Sequence, residues 1–208
     1  MGHPFRNPQD ILDLENKMPL DKALDSATVY QRLLKTRDVY PDRPAVSFQL
    51  KSDANSKAIT LSWSELTSKV TQAANLFRSL GVGPKDVVAY LLPTTHETLI
   101  TLMGGMTSGI VAPINPTLEP ESIAALLKET NAKVLVTLKA FPKTNVSDLA
   151  SQAVALSPNV KTVIELDLLP HLSGISKLIV PFIRPKNSTK HSAKVIDFTQ
   201  SLASQNST

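Results

Sequence analysis

The chain has 208 residues, 42% of them apolar, with 22 basic residues against 18 acidic ones and a formal net charge of +4. That is enough apolar material to bury a core and too small a charge excess to point to a nucleic-acid partner, while the lack of cysteine excludes disulfide frameworks, thiolate nucleophiles and cysteine-based zinc sites. No stretch of about 18 apolar residues suits a membrane span, and Met1 to Asp13 is polar and proline-interrupted where a secretory signal would be apolar, so the expected address is cytoplasmic.

Residues 1–27 show no sustained period and are broken by prolines, so they are expected to form an extended or partly ordered lead-in. Order should begin at Thr28: Val29, Leu33, Leu34 and Val39 have helical spacing, and Pro41 and Pro44 close that helix. Val46, Phe48 and Leu50 alternate with polar residues, as do Ile59, Leu61 and Trp63, which predicts a hairpin around the polar loop Lys51 to Lys57. Ser62 and Glu65 have capping-box spacing, and Leu66, Val70, Ala73, Ala74, Phe77 and Leu80 then form an apolar stripe ending at Gly81. Val87 to Leu92 is apolar without alternation, the pattern of a strand covered on both faces and hence of a parallel sheet.

The same rhythm continues. Thr94 with Glu97 suits the start of a helix carrying Leu99, Leu102, Met103 and Met106, followed by a strand at Ile110 to Ile114. Pro120 opens a third helix before the strand Val134 to Val136, and Asn145 with Asp148 suits the cap of a fourth before the strand Val160 to Leu166. Strands alternating with helices predict an α/β fold, a mostly parallel sheet with flanking helices, over residues 28–169. Residues 170–194 read as a basic irregular insertion: Lys177, Arg184, Lys186, Lys190 and Lys194 surround the apolar run Leu178 to Ile183 with no acidic residue. Residues 195–208 regain order only as far as Leu202.

Chemistry-bearing constellations are scarce. The four histidines stand at 3, 96, 171 and 191, none with a partner His, Asp or Glu at metal-ligand spacing, so no metal site is expected. His96 beside Glu97 reads as a solvated first-turn residue rather than a general base. Leu80-Gly81-Val82-Gly83-Pro84 contains Gly-x-Gly but follows a helix and precedes a strand, the reverse of a dinucleotide fingerprint. Gly104 and Gly105 lie within a helix, where close packing is the expected use. The basic insertion reads first as a solvated loop, with an anionic membrane surface or a phosphate-bearing substrate as the alternatives.

Several consecutive blocks together resemble the adenylate-forming enzymes, the family that includes acyl-CoA synthetases, luciferases and peptide-synthetase adenylation domains. Val39-Tyr40-Pro41-Asp42-Arg43-Pro44-Ala45-Val46 is similar to the family's opening phrase, and Leu61-Ser62-Trp63-Ser64-Glu65-Leu66 to its first core motif, with Trp63 in the place of the usual Tyr. Leu80 to Ala89, Leu92-Pro93, Met106 to Pro116 and Glu119 to Thr137 resemble the blocks that follow, Thr107-Ser108-Gly109 standing where the second core motif has Lys-Ala-Gly. That triplet also mimics the start of the family's phosphate loop, but Ile110-Val111-Ala112-Pro113 supplies neither the second glycine nor the lysine, so it is read as a decoy. The resemblance covers about Thr28 to Leu202 and places the true phosphate loop shortly after the segment that Val195 to Leu202 resembles.

The resemblance implies the N-terminal subdomain of an ATP-dependent fatty-acid CoA ligase working through an acyl adenylate. The full-length parent would use ATP, Mg²⁺ and CoA, and these 208 residues would carry no catalytic residue and bind no cofactor tightly. It further implies contacts to the CoA nucleotide from the loop at Pro116 and Thr117 and from the basic loop carrying Lys139 and Lys143, lysines being able to pair with phosphate as point charges. The expected partners are the rest of the same enzyme, a second copy through an unpaired sheet edge, and peripheral contact of residues 177–194 with the inner membrane surface. Two other readings stand beside it: a stand-alone binding or regulatory module with this fold, and a segment of an adenylation domain or aryl-CoA ligase.

Overall fold

The computed structural model describes residues 7–50, 58–172, 174–185 and 191–207. The predicted loop Lys51 to Lys57 and the basic residues Lys186 and Lys190 lie outside them. The lead-in, read as extended or partly ordered, carries two short helices: α1 (Pro8–Lys17) is capped by the Asn7 side chain, which accepts from the Asp10 N–H, and α2 (Leu20–Ala23) follows after Pro19. Pro8 sits at the first helical position, where a missing N–H costs nothing, so this proline starts a helix rather than preventing one. Neither helix buries a residue.

Helix α3 (Val29–Val39) begins where expected, with Thr28 capping the Gln31 N–H. The hairpin of β1 (Pro44–Phe48) and β2 (Ile59–Ser62) is antiparallel, and Ser62 leads directly into α4 (Trp63–Ser79). There the Ser62 hydroxyl accepts from the Glu65 N–H at 3.2 Å and the Glu65 carboxylate accepts from the Ser62 N–H at 2.8 Å, the reciprocal box that the spacing predicts. Ser62→Ala is expected to cost about 1 kcal/mol of stability, read as a lower urea midpoint.

After α4 the chain builds a five-stranded parallel sheet from β3 (Val87–Leu91), β4 (Ile110–Pro113), β5 (Ala132–Leu138), β6 (Thr162–Leu166) and β7 (Lys194–Asp197), in the order β4-β3-β5-β6-β7. Helices α5 (His96–Ser108), α6 (Pro120–Glu129) and α7 (Val146–Ala155) connect the strands, and α9 (Phe198–Ala203) packs back on α4. Successive residues of a strand point to opposite faces, and Val134, Leu135, Val136, Thr137 and Leu138 are all buried, so both faces of the sheet are covered. Gly104 permits the closest helix approach: a Cβ there would lie 2.6 Å from the Ala73 Cβ of α4.

Two expected caps differ. Helix α5 is capped by Thr95, one residue later than predicted, with Thr98 rather than Glu97 as the reciprocal partner, because Glu97 is turned to two histidines instead. Asn145 precedes α7 without a side-chain cap; its φ of −107° and ψ of 8° are not the extended geometry a cap requires, and the Thr144 hydroxyl accepts from the Val146 N–H instead. The insertion expected to be irregular contains a helix, α8 (Gly174–Ile183), which exposes Ile175, Leu178 and Phe182 and buries Val180. Among the described residues no helix is long and apolar enough to cross a membrane.

Candidate functional site

In open parallel sheets, ligands bind outside the carboxyl ends of the strands, where neighbouring strands send their connections in opposite directions. Here that point lies between β3 and β5: the chain leaves β3 for β4 on one side, then returns past it to β5 on the other. The ends of the two strands are tied by the Thr137 hydroxyl, which donates to the Leu91 carbonyl at 3.3 Å.

The loop residues singled out for CoA contact all sit on this rim. Thr117 is exposed after β4, its N–H and hydroxyl both donating to the Asn115 carboxamide oxygen at 3.0 and 2.9 Å. Lys139 is exposed directly after β5, its N–H donating to the Leu166 carbonyl at the end of β6. Lys143 is exposed in the next turn, with a left-handed φ of 65°. The three share one end of the sheet but are not gathered into one cluster, since β3 separates the β4 loop from the β5 loop. Thr107 and Ser108 close α5 and Gly109 leads straight into β4, so the Thr-Ser-Gly triplet is a helix end and not a phosphate loop.

A cluster that the sequence reading did not anticipate lies on the same rim. His96 and Glu97 open α5 just after β3, and His171 ends the 3₁₀ turn Leu169–His171 just after β6. The Glu97 Oε1 lies 3.0 Å from His96 Nε2 and 2.9 Å from His171 Nε2, and the two imidazoles meet edge to face with centroids 5.0 Å apart. Phe48, at the end of β1, packs its ring edge to face against both, 6.1 Å from His96 and 5.3 Å from His171. The side chains of His96, Glu97 and His171 are only 8%, 12% and 5% exposed, so His96 is not the solvated first-turn residue expected of it. Burial alone would raise the Glu97 carboxyl, but the hydrogen bonds and positive charge of His171 and His96 outweigh it and hold the group well below the usual carboxylate range. These residues offer two nitrogen donors and a carboxylate to a cation, in contrast to the metal-free expectation.

Next to this cluster Asp167 anchors α8, its carboxylate accepting from the Arg184 guanidinium at 2.9 Å and from the Leu169 N–H. Burial raises the Asp167 carboxyl, but Arg184 together with the Leu169 N–H leaves it lowered overall. A lowered carboxyl contributes stability above its ordinary pKa of 3.8 and loses it as pH falls through the depressed value. Arg184→Ala is therefore expected to speed amide exchange across α8 at neutral pH while β6 stays protected, and the wild-type tether should fail only in that acidic window.

Comparison with known proteins places the whole arrangement. The profile of the family described as AMP-binding enzyme matches residues 34–196. The chain is 35% identical to marinolic acid–CoA ligase of Pseudoalteromonas sp. (strain SANK 73390) over 154 residues, 74% of this chain and 23% of that protein. It is 31% identical to tyrocidine synthase 3 of Brevibacillus parabrevis over 129 residues, 62% of this chain and 2% of that protein. In fold it matches the crystal structure of an anthranilate CoA ligase in complex with anthranoyl-AMP, with a TM-score of 0.63 at 16% identity, over 86% of this chain and 28% of that one. The chain thus spans about a quarter of the length of the CoA ligases it matches, and within that span it belongs to the AMP-binding enzyme family.

Proposed function

We propose that these residues are the N-terminal α/β part of an AMP-forming CoA ligase for fatty acids. In that reaction a carboxylate oxygen attacks the α-phosphorus of ATP, pyrophosphate leaves, and the CoA sulfur then attacks the acyl carbonyl to release AMP. ATP and Mg²⁺ would be held by groups outside these 208 residues, since the sequence has no glycine-rich loop running on to a lysine of the kind that cradles a phosphate. The part played by this chain is to build the scaffold and to bring Thr117, Lys139 and Lys143 to the CoA side. The observation that carries the reading is the family match across residues 34–196, supported by the similarity to a named acid–CoA ligase.

ATP–pyrophosphate exchange with a panel of fatty and aromatic acids, run on the protein at the length found in its source cells, tests this. Exchange with fatty acids is expected from a polypeptide much longer than 208 residues, and none from the 208-residue chain alone. Exchange confined to aromatic or amino acids would reassign the substrate, and a native product of only 208 residues would favour a stand-alone module. The outer strands β4 and β7 each have one unpaired edge among the described residues, and Ile110 and Val195 are exposed on them. Self-association of the isolated chain through these edges is expected, and a clean monomer at high concentration in sedimentation would count against it.

A further inference from the structure

We propose that His96, Glu97 and His171 form a binding site for a divalent transition-metal ion of the zinc class, separate from any metal that accompanies ATP. The three residues come from two connections 74 residues apart and converge only because β3 and β6 end on the same rim. Both imidazole Nε2 atoms aim at one oxygen, Glu97 Oε1, at 2.9 and 3.0 Å. Three donors on a tetrahedral ion with bonds of about 2.0–2.1 Å would stand about 3.3 Å apart; the two Oε1–Nε2 separations are within about half an ångström of that, and all three donor atoms lie within 4.8 Å of one another.

One unsatisfied atom points the same way. Glu97 Oε2 is buried with no hydrogen-bond partner, which leaves a carboxylate in apolar surroundings beside Phe48 with half its acceptor capacity unused. The Nδ1 atoms of both histidines are also buried without a partner, so the imidazoles lack the outer hydrogen bond that usually orients a metal-bound histidine. A divalent ion seated between Oε1 and the two Nε2 atoms would neutralise that carboxylate directly, with Oε2 or a water free to complete the shell. The donor set selects among ions. Two imidazole nitrogens and one carboxylate suit zinc and its neighbours, whereas Mg²⁺ and Ca²⁺ take all-oxygen shells. Opposing the ion is the positive end of the α5 dipole, and Glu97 in that first turn offsets it. The second pairing of a histidine with a carboxylate, His191 Nε2 at 3.3 Å from Glu165 Oε1, has no third donor grouped with it among the described residues and serves as the control.

The test titrates the metal-free 208-residue protein with Zn²⁺ by calorimetry and with Co²⁺ by visible absorption. One equivalent of each is expected, the Co²⁺ complex showing the intense visible bands of a four-coordinate ion, and excess Zn²⁺ should raise the thermal midpoint. His171→Asn and Glu97→Gln should each weaken binding by more than about tenfold, and His191→Asn should not. Circular dichroism checks that each variant is folded. Should a variant unfold, imidazole ¹⁵N shifts in the wild-type protein decide, since Zn²⁺ must then move the Nε2 resonances of His96 and His171. No stoichiometric binding, binding that survives both substitutions, or unmoved Nε2 resonances would overturn the proposal. Because no acid, ATP or CoA enters the measurement, its outcome is independent of the ligase reading.

Discussion

Phe77→Ala is expected to lower the stability of the chain by about 3–5 kcal/mol, the largest loss that any single side-chain truncation here should produce. Phe77 is the largest wholly buried side chain among the described residues, at 0% exposure, and it sits on the inner face of α4 in its last turn. Its ring belongs to the same core cluster as Val70, Ala73 and Leu76 of α4, Ile100 of α5 and Leu202 of α9, so truncation removes transfer energy and leaves a cavity that three helices cannot close together. The comparison variant is Leu178→Ala on α8, where the side chain is 71% exposed and the change should stay within about 0.5 kcal/mol. Urea unfolding followed by circular dichroism separates the two. Equal midpoints would mean that the α4 face is not the centre of the core.

The second large effect is at Gly109, and it concerns space rather than dihedral preference. The residue has a φ of −168°, outside the left-handed region, yet a Cβ built on it would lie 2.6 Å from the carbonyl oxygens of both Gly83 and Asp86. The same Asp86 carbonyl accepts from the Ile110 N–H at 2.9 Å, adjoining the first register pair of β3 and β4. Gly109→Val must therefore push β4 away from β3, at a cost of about 1–3 kcal/mol or more, with amide exchange rising along β4. Gly81 supplies the contrast: its φ is +82° and nothing lies within 4 Å of its virtual Cβ. Gly81→Ala should cost about 1–2 kcal/mol from backbone strain alone, and Gly81→Asn less, because asparagine tolerates the left-handed region. At Gly109 asparagine should give no such relief.

How much was readable before the structure differs from element to element, for physical reasons. Helix α4 was legible at both ends because its signals are local: Ser62 and Glu65 are three residues apart, and Gly81 takes the positive φ that stops the helix. Strand β3 was legible because burial on both faces leaves an unbroken apolar run, and β5 and β6 because Val134 to Val136 and Val163 to Ile164 keep an apolar centre between polar neighbours. The α5 cap slipped by one residue because Thr94 and Thr95 are equivalent in composition, and only the tertiary pull of two histidines on Glu97 separates them. Helix α8 escaped because Gly174 and Pro181 both argue against a helix over this stretch, yet Pro181 stands inside it. The His96, Glu97 and His171 cluster was invisible to any search by spacing, since its parts meet through the order of strands in the sheet. The one usable signal would have been positional: both histidines follow strands at their carboxyl ends.

That strand order also bears on how the chain can be made. Since β3 precedes every other parallel strand yet lies inside the sheet, β4 can dock on one flank of it, β5 on the other, and β6 and β7 outward in turn. No strand has to be threaded between two that are already paired. A ribosome extruding this polypeptide can therefore let the sheet grow outward in the order of translation, with every intermediate offering the next strand a ready flank.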